Sequence, residues 1–214
     1  MLDAFTWYKQ SAIKWQGKNL TVHVDPWGVP EGEAKADLIL ITHAHFDHFQ
    51  VEEIDRLTKE GTIIVTPHDI AAQLSGDVRA VKPGESVEAA GLSVSAVPAY
   101  NARPERLEMH PRENNWVGYV LDLEDTRTYL AGDTDHIPEM AGIRTDVAFV
   151  PAGGTYTMDA QEAAGAIKEI APKIAVPYHF GFVVGSRSTG EEFVKAIAPI
   201  EGRVLTPVNP FEQP

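Results

Sequence analysis

Short runs of apolar and β-branched residues recur along the whole chain, and Gly, Pro or Asp closes nearly every one of them. They cover Leu20 to Val24, Leu38 to Thr42, Thr62 to Thr66, Val78 to Val81, Leu92 to Val97, Trp116 to Leu121, Arg127 to Ala131, Val147 to Val150, Ile174 to Val176 and Arg203 to Thr206. Segments of that length with that punctuation read as strands. Helical periodicity is rarer. Ala160, Ala163, Ala164, Ile167 and Ile170 make an apolar stripe over Asp159 to Ile170, and Pro172 stops it. Ser188 with Glu191 three residues on forms a capping-box pattern ahead of Phe193, Val194 and Ile197. Val51 to Glu60 and Asp69 to Leu74 supply two further helices. Many strands with a few interspersed helices indicate two sheets with helices outside, an α/β (α+β) fold, better than a regular βαβ alternation does. With 214 residues, no internal repeat and no low-complexity linker, one domain spanning 1–214 is expected.

One of these strands ends unusually. Leu38 to Thr42 runs straight into His43-Ala44-His45-Phe46-Asp47-His48, three histidines and an aspartate within six residues. A chance match from this composition is on the order of one in a thousand. Imidazole and carboxylate are donors suited to zinc, manganese or iron, and a strand that stops where the donors begin sets them on a loop with rigid backing. Residues this close in sequence cannot all surround one ion, and two ions need more donors. Two later strands end in the same way: Thr128 to Ala131 runs into Gly132-Asp133-Thr134-Asp135, and Ile174 to Tyr178 runs into His179-Phe180-Gly181. Alone, an aspartate after glycine is ordinarily a turn residue and a histidine at a strand end is ordinarily structural. Beside the cluster, both become candidate ligands.

The absence of cysteine excludes disulfides and thiolate metal sites, leaving His, Asp and Glu as the strong ligands. No segment approaches the roughly 18 consecutive apolar residues of a membrane span. The start, Met1-Leu2-Asp3-Ala4-Phe5, lacks the basic-then-apolar pattern of a secretory signal, so a cytoplasmic location is expected. A formal net charge of -13 repels a polyanionic backbone and disfavours nucleic acid as a partner. A small-molecule substrate is expected; a homo-oligomer is left open.

The motifs His43 to His48, Gly132-Asp133-Thr134 and Pro177-Tyr178-His179, in that order, resemble those of the metallo-β-lactamase fold superfamily of metal-dependent hydrolases. Asp25-Pro26 and Gly153-Gly154-Thr155-Tyr156-Thr157-Met158 extend the resemblance over nearly the whole chain, towards the compact bacterial and archaeal branch that includes ascorbate-6-phosphate lactonase relatives. The resemblance implies an αββα sandwich of two mixed sheets with a dinuclear site at one edge. It implies that His43 and His45 bind a first divalent ion, that Asp47, His48 and His179 bind a second, and that Asp133 bridges both. Zn2+ is the expected ion, with Mn2+ or iron as alternatives.

The chain departs from this pattern at one place. The superfamily usually has a histidine as third ligand of the first metal just after the strand equivalent to Leu92 to Val97, where this sequence reads Pro98-Ala99-Tyr100-Asn101. His110, in the long loop Tyr100 to Asn115, is one candidate to complete the shell; Asn101 and water are the others. A loop of that length inside a compact domain is usually functional, here as a lid or wall. His23 belongs to a strand face and His68 to a helix start, both structural. His136 either lines the pocket or sits on a surface loop. Asp25 is a candidate second carboxylate steering a ligand. Trp7, Tyr8, Trp15, Trp27 and Tyr156 fit a core better than a pocket wall.

The expected chemistry is attack by a metal-bound hydroxide on an ester, lactone, amide or phosphoester bond, with Asp47 orienting the hydroxide or taking up a proton. No Gly-x-Ser-x-Gly elbow or phosphate-binding Gly-rich loop offers another route. Arg103, Arg106 and Arg112 give a lean to an anionic substrate. Two rival classes are an iron-dependent redox or oxygen-chemistry enzyme, for which no flavin domain or iron–sulfur motif is present, and a non-catalytic metal-binding module.

Overall fold

The computed structural model describes residues 1–214 as two mixed sheets packed face to face, with helices on both outer faces. The first sheet has the order β1 (Phe5–Lys9), β2 (Ala12–Gln16), β3 (Thr21–Val24), β4 (Leu38–Leu40), β5 (Ile63–Pro67) and β6 (Asp77–Val81). Its first three strands run antiparallel and β3 to β6 run parallel. The second sheet comprises β7 (Ser86–Ala89), β8 (Leu92–Pro98), β9 (Val117–Leu123), β10 (Thr126–Leu130), β11 (Val147–Pro151), β12 (Ile174–Tyr178) and β13 (Glu201–Gly202), in that spatial order. Strands β7 to β10 are antiparallel and β10 to β13 parallel. The αββα sandwich implied by the motifs is the architecture found.

The alternation of side chains along each strand explains the layering. In β4, Leu38 and Leu40 face the second sheet, joining Val22, Val65, Tyr119, Phe149 and Val176 in the central core. Ile39 and Ile41 face outwards and pack with Ile54 and Leu57 of α1 (Val51–Leu57) and Ile70 of α2 (His68–Ala71). In β11, Val147 and Phe149 point inwards, while Ala148 and Val150 meet Ala163, Ile167 and Ile170 of α3 (Ala160–Ile170) and Phe193 of α4 (Thr189–Ala196). Strands buried on both faces read as unbroken apolar runs, which is why these were visible in the sequence.

Several elements differ from expectation. β1, β2 and β7 are strands that the apolar-run criterion misses. β1 and β2 carry Lys and Gln, and their tight connection through Gln10 and Ser11 contains no glycine, Gln10 itself adopting φ 48°. β7 alternates half-exposed and exposed positions before Ala89. The expected strand Arg203 to Thr206 is not one: β13 spans only Glu201–Gly202, and Arg203 adds one further bond, from its amide to the Ala175 carbonyl. Helices α1 and α2 stop short of the expected Glu60 and Leu74. The Ser188 capping box does not form, because Ser188 adopts helical angles and its hydroxyl bonds Glu192 at 2.7 Å. A capping box forms instead at Asp159, whose carboxylate accepts from the amides of Gln161 and Glu162 while Glu162 accepts from the Asp159 amide.

Strands β4, β10 and β12 point their C-terminal ends at one edge of the sandwich, where one bond between the sheets and one within the second sheet hold the exits in place. Tyr119 of β9 donates its hydroxyl to the Ile41 carbonyl at 2.7 Å, and Tyr178 donates to the Gly132 carbonyl at 3.2 Å. Gly132 turns the chain at φ +67°, and a Cβ there would stand 2.9 Å from the Val117 carbonyl oxygen. Only glycine permits that approach together with that angle.

Candidate metal centre

Three strand exits and the long loop bring all seven sequence-nominated residues to this edge. Their donor atoms form overlapping groups: His43, His45 and His110; His43, His48 and Asp133; and Asp47, His48 and His179. Asp133 stands between the outer two. Its Oδ2 lies 2.9 Å from His179 Nε2, 3.3 Å from His110 Nε2 and 3.9 Å from His43 Nε2, while its Oδ1 lies 3.4 Å from His48 Nε2. Asp47 Oδ2 is 3.7 Å from His48 Nε2 and 3.6 Å from His179 Nε2. Except for His45, each of these side chains is buried.

The rings are aimed by partners on their outer nitrogens. Asp25, at the end of β3, accepts from the Thr42 amide at 2.8 Å and the Thr42 hydroxyl at 2.7 Å, and its Oδ2 lies 2.8 Å from His48 Nδ1. A carboxylate can only accept, so Nδ1 carries a proton towards Asp25 and Nε2 faces the centre. Thr42 Oγ1, having spent its proton on Asp25, sits 2.9 Å from His43 Nδ1 and fixes that ring in the same sense. His110 Nδ1 lies 2.8 Å from Asn101 Oδ1. Asn101 Oδ1 therefore faces His110 rather than the centre, while His110 Nε2 lies 3.3 Å from Asp133 Oδ2.

Burial and the contacts between carboxylates and imidazoles set the charge of the cluster. Burial and the neighbouring His48 charge push His43 well below the ordinary histidine range, and burial with His110 brings His45 down to about 4. Burial works against charge on His48 too, but Asp133, Asp47 and Asp25 overcome it and hold that ring well above its usual value. His179, likewise opposed by burial, is raised to about 9 by Asp133 and Asp47. Burial opposes ionisation of Asp133 and Asp47 also; their histidine neighbours win, leaving Asp133 well below the carboxylate range and Asp47 at about 2. The buried His48 Nε2, His110 Nε2 and Asp133 Oδ1 have no hydrogen-bond partner. Unpartnered polar atoms converging from opposite sides, with His43 Nε2 only 3.1 Å from His45 Nδ1, suit divalent cations.

Two participants escaped sequence reasoning. Gln10, fully buried in the β1–β2 turn, places its side-chain Nε2 3.0 Å from Asp47 Oδ2 and 2.9 Å from His179 Nε2. A turn glutamine among lysine, serine and tyrosine carries no signal of this. Asp135 organises the long loop by accepting from the amides of Ala102 and Arg103 and from Asn101 Nδ2, and by pairing with Arg106 at 2.7 Å. Its proximity to Asp133 in Gly132-Asp133-Thr134-Asp135 was the available clue.

The three loop arginines correct the expectation of an anion-binding wall. Arg106 is buried against Asp135 and Glu162, Arg103 pairs with Glu162, and Arg112 pairs with Glu139 while lying over the Tyr100 ring. None lines the cavity above the donors. His136 pairs with Glu169 on the surface and does not line it either. His23 is a buried strand residue and His68 opens α2, as expected. Trp7, Tyr8 and Trp15 are core, whereas Tyr156 lines the cavity and Trp27 packs edge-on against Phe46 at its mouth.

Comparison with known proteins agrees with this architecture. Residues 4–179 match the Beta-lactamase superfamily domain. The chain is 29% identical over 229 residues to a UPF0173 metal-dependent hydrolase of Methanopyrus kandleri, covering 97% of this chain and 99% of that one. It is 32% identical over 216 residues to a UPF0173 metal-dependent hydrolase of Thermoplasma acidophilum, covering 92% and 91%. Among solved structures, a candidate metal-dependent hydrolase from Parabacteroides distasonis superposes with TM-score 0.85 at 34% identity, covering 94% of this chain and 91% of that one. Igni18, a metallo hydrolase from Ignicoccus hospitalis, superposes with TM-score 0.76 at 27% identity, covering 95% and 94%. Matched over most of its length in sequence and in fold, the chain belongs to the β-lactamase superfamily and has the metallo-β-lactamase fold.

Proposed function

We propose that this chain is a metal-dependent hydrolase that uses two divalent cations, Zn2+ first among them, to cleave an ester, lactone or phosphoester bond in a small molecule. The observation that carries the reading is the arrangement of two donor trios, His43/His45/His110 and Asp47/His48/His179, on either side of Asp133. The names of the relatives, metal-dependent hydrolases, support the same class. Bound cations would supply water of lowered pKa and an electrophile for the oxygen of the scissile bond.

The protein's own residues do the rest. Asp25, Thr42 and Asn101 keep the ligating nitrogens aimed inwards, so that the site is organised before substrate arrives. Asp47 lies on the cavity wall and holds a carboxylate oxygen free to steer the attacking water or to take its proton. Burial of the donors excludes bulk water and strengthens every charge interaction there. An anionic group on the substrate would be met by the cations, since no lysine or arginine lines the cavity.

The test is turnover of chromogenic ester, lactone and phosphodiester substrates by protein loaded with Zn2+ or Mn2+, against the chelated protein. Turnover that requires metal and disappears in Asp47→Ala supports the reading. A protein that holds two ions and cleaves none of the three substrate classes is a binding module instead.

A further inference from the structure

The cavity over the donors has a volume of about 300 Å3 and two kinds of wall. Its floor is the donor set. Its sides are Phe46, Met109, Tyr156 and Val183. Phe46 is 60% exposed and Tyr156 36% exposed, in a chain whose other large aromatics are mostly buried. Large apolar side chains left in water around a polar floor mark a surface that a ligand covers. Phe46 stacks edge-on against Trp27, with centroids 5.7 Å apart, and the backbone at Tyr156 is tied down by its carbonyl, which accepts from the same Asn101 that holds His110.

Cationic side chains are absent from the walls, and those nearby are engaged. Arg103, Arg106 and Arg112 are paired with carboxylates as described, and Lys9 lies over the Trp27 ring and pairs with Glu212. An anionic substituent on the far side of the reacting bond would therefore find no partner and would face a protein of net charge -13, and a cationic one would have to leave water for an apolar wall. Building on the hydrolase reading, we infer that the substrate is an ester or lactone whose non-reacting part is uncharged and apolar, a short alkyl chain or single ring seated against Phe46, Met109, Tyr156 and Val183. The volume lies at the small end of the roughly 300–1,000 Å3 of ligand pockets, which limits the substituent to that size. The reaction adds water across the bond: the water oxygen bonds to the carbonyl carbon, the carbon–oxygen bond breaks, and the proton passes to the departing alkoxide.

Calorimetric binding of product-like acids to the metal-loaded protein tests the pocket without requiring turnover. Hexanoate and adipate share a carboxylate head and a chain and differ in the charge of the far end. Hexanoate is expected to bind at least tenfold more tightly, and Phe46→Ala to weaken hexanoate about fivefold while leaving adipate unchanged. Tyr156→Ser is the second variant, with the same expectation. Equal or tighter binding of adipate, or no binding of either acid, overturns the inference. Tight hexanoate binding in a protein that cleaves no ester or lactone upholds the apolar pocket and removes the hydrolase reading instead.

A separate observation concerns Gln10. Its terminal amide sits 3.0 Å from Asp47 Oδ2 and 2.9 Å from His179 Nε2, and those two atoms are 3.6 Å apart. Ligands about 2.1 Å from a tetrahedral ion stand about 3.4 Å from one another, close to the 3.6 and 3.7 Å that separate Asp47 Oδ2 from His179 and His48 Nε2, and the Gln10 amide is within hydrogen-bond distance of two of these three atoms. The amide's oxygen and nitrogen exchange places by a half-turn that gives up the 3.0 Å bond of Nε2 to Asp47 Oδ2 and the 3.4 Å contact of Oε1 with the Val183 amide, an exchange that a bound ion would offset. Gln10 is also held at φ 48° and its carbonyl accepts from the His179 amide, itself at φ 58°, so two residues in the sparsely populated left-handed region brace each other. We propose that Gln10 Oε1 is a further protein ligand, beside Asp133, of the ion held by Asp47, His48 and His179.

Titration of the metal-free protein with Co2+, followed by its visible absorption, reads this directly. Gln10→Ala is expected to weaken one of two binding steps at least tenfold and to shift the spectrum of that ion alone. Gln10→His, which restores a donor, should recover both and guards against a folding defect in the alanine variant. Two unchanged binding steps in Gln10→Ala, or a wild-type protein that binds a single ion, overturns the assignment.

Discussion

His110 Nδ1 lies 2.8 Å from Asn101 Oδ1, and the backbone amide of Asn101 donates to the His110 carbonyl at 2.8 Å, so the two residues are clasped at both levels. The clasp is held from behind by Asp135 and Arg106, and it brings a histidine from a long loop to the centre, where the chain just after β8 supplies none. Asn101→Leu leaves His110 free to rotate and to take the wrong tautomer. The affinity for one of two ions should fall about 10- to 100-fold, the usual loss when a ligand's outer partner is removed. Equilibrium dialysis with metal analysis measures it.

Asp133 stands between both donor trios, so its replacement acts on both. Asp133→Asn keeps the shape and removes the charge that balances His48 and His179. Both binding steps should weaken, each by at least the 10- to 100-fold of an outer partner. Retention of two ions at wild-type affinity would separate Asp133 from the centre.

Metal removal should also destabilise the fold. A cation bound by the folded chain alone adds about 2.7 kcal/mol at one hundred times its dissociation constant. For a chain of this size that corresponds to roughly 5 to 10 °C in Tm. Scanning calorimetry before and after chelation, and after Zn2+ is restored, should show the loss and its recovery.

His23 gives the fold a pH dependence away from the metal centre. Burial pushes it down to about 4, from an ordinary 6.5; Lys14 and Arg56 add to the effect while the Ala34 carbonyl and Glu33 oppose it, and the ring lies against Tyr8. The unfolded chain therefore binds this proton more readily. Stability is complete above pH 6.5 and falls as the pH drops from 6.5 towards 4, by at most about 3 kcal/mol. Urea unfolding of wild type and His23→Gln at pH 8 and pH 5 isolates the contribution, which the variant should lack.

The Asp159 capping box makes a local prediction. Asp159→Ala frees two amides at the start of α3 and should cost about 1 kcal/mol in urea unfolding. Metal content should not change, since α3 packs on the far face of the second sheet.

Much of this was written in local sequence. The apolar runs Leu38 to Thr42, Val147 to Val150 and Ile174 to Val176 are strands because both of their faces are buried, and that demand is legible residue by residue. The motif His43 to His48 announces a metal for the same reason: its donors are dense enough that chance and structural roles do not account for them. The amphipathic β1, β2 and β7, and the turn that closes β13 after two residues, depend on which sheet edge covers them, and composition does not carry that.

The sequence by itself determined the sandwich, its strand-end donors and the need for cations. Tertiary structure alone decided that His110 joins His43 and His45, that Asn101 holds it, that the loop arginines face carboxylates away from the cavity, and that Gln10 reaches Asp47 and His179. The physical reason is range. Strand periodicity and ligand density are properties of neighbours along the chain, whereas Gln10 and His179 meet only because β1 and β12 pack from opposite sheets at one edge.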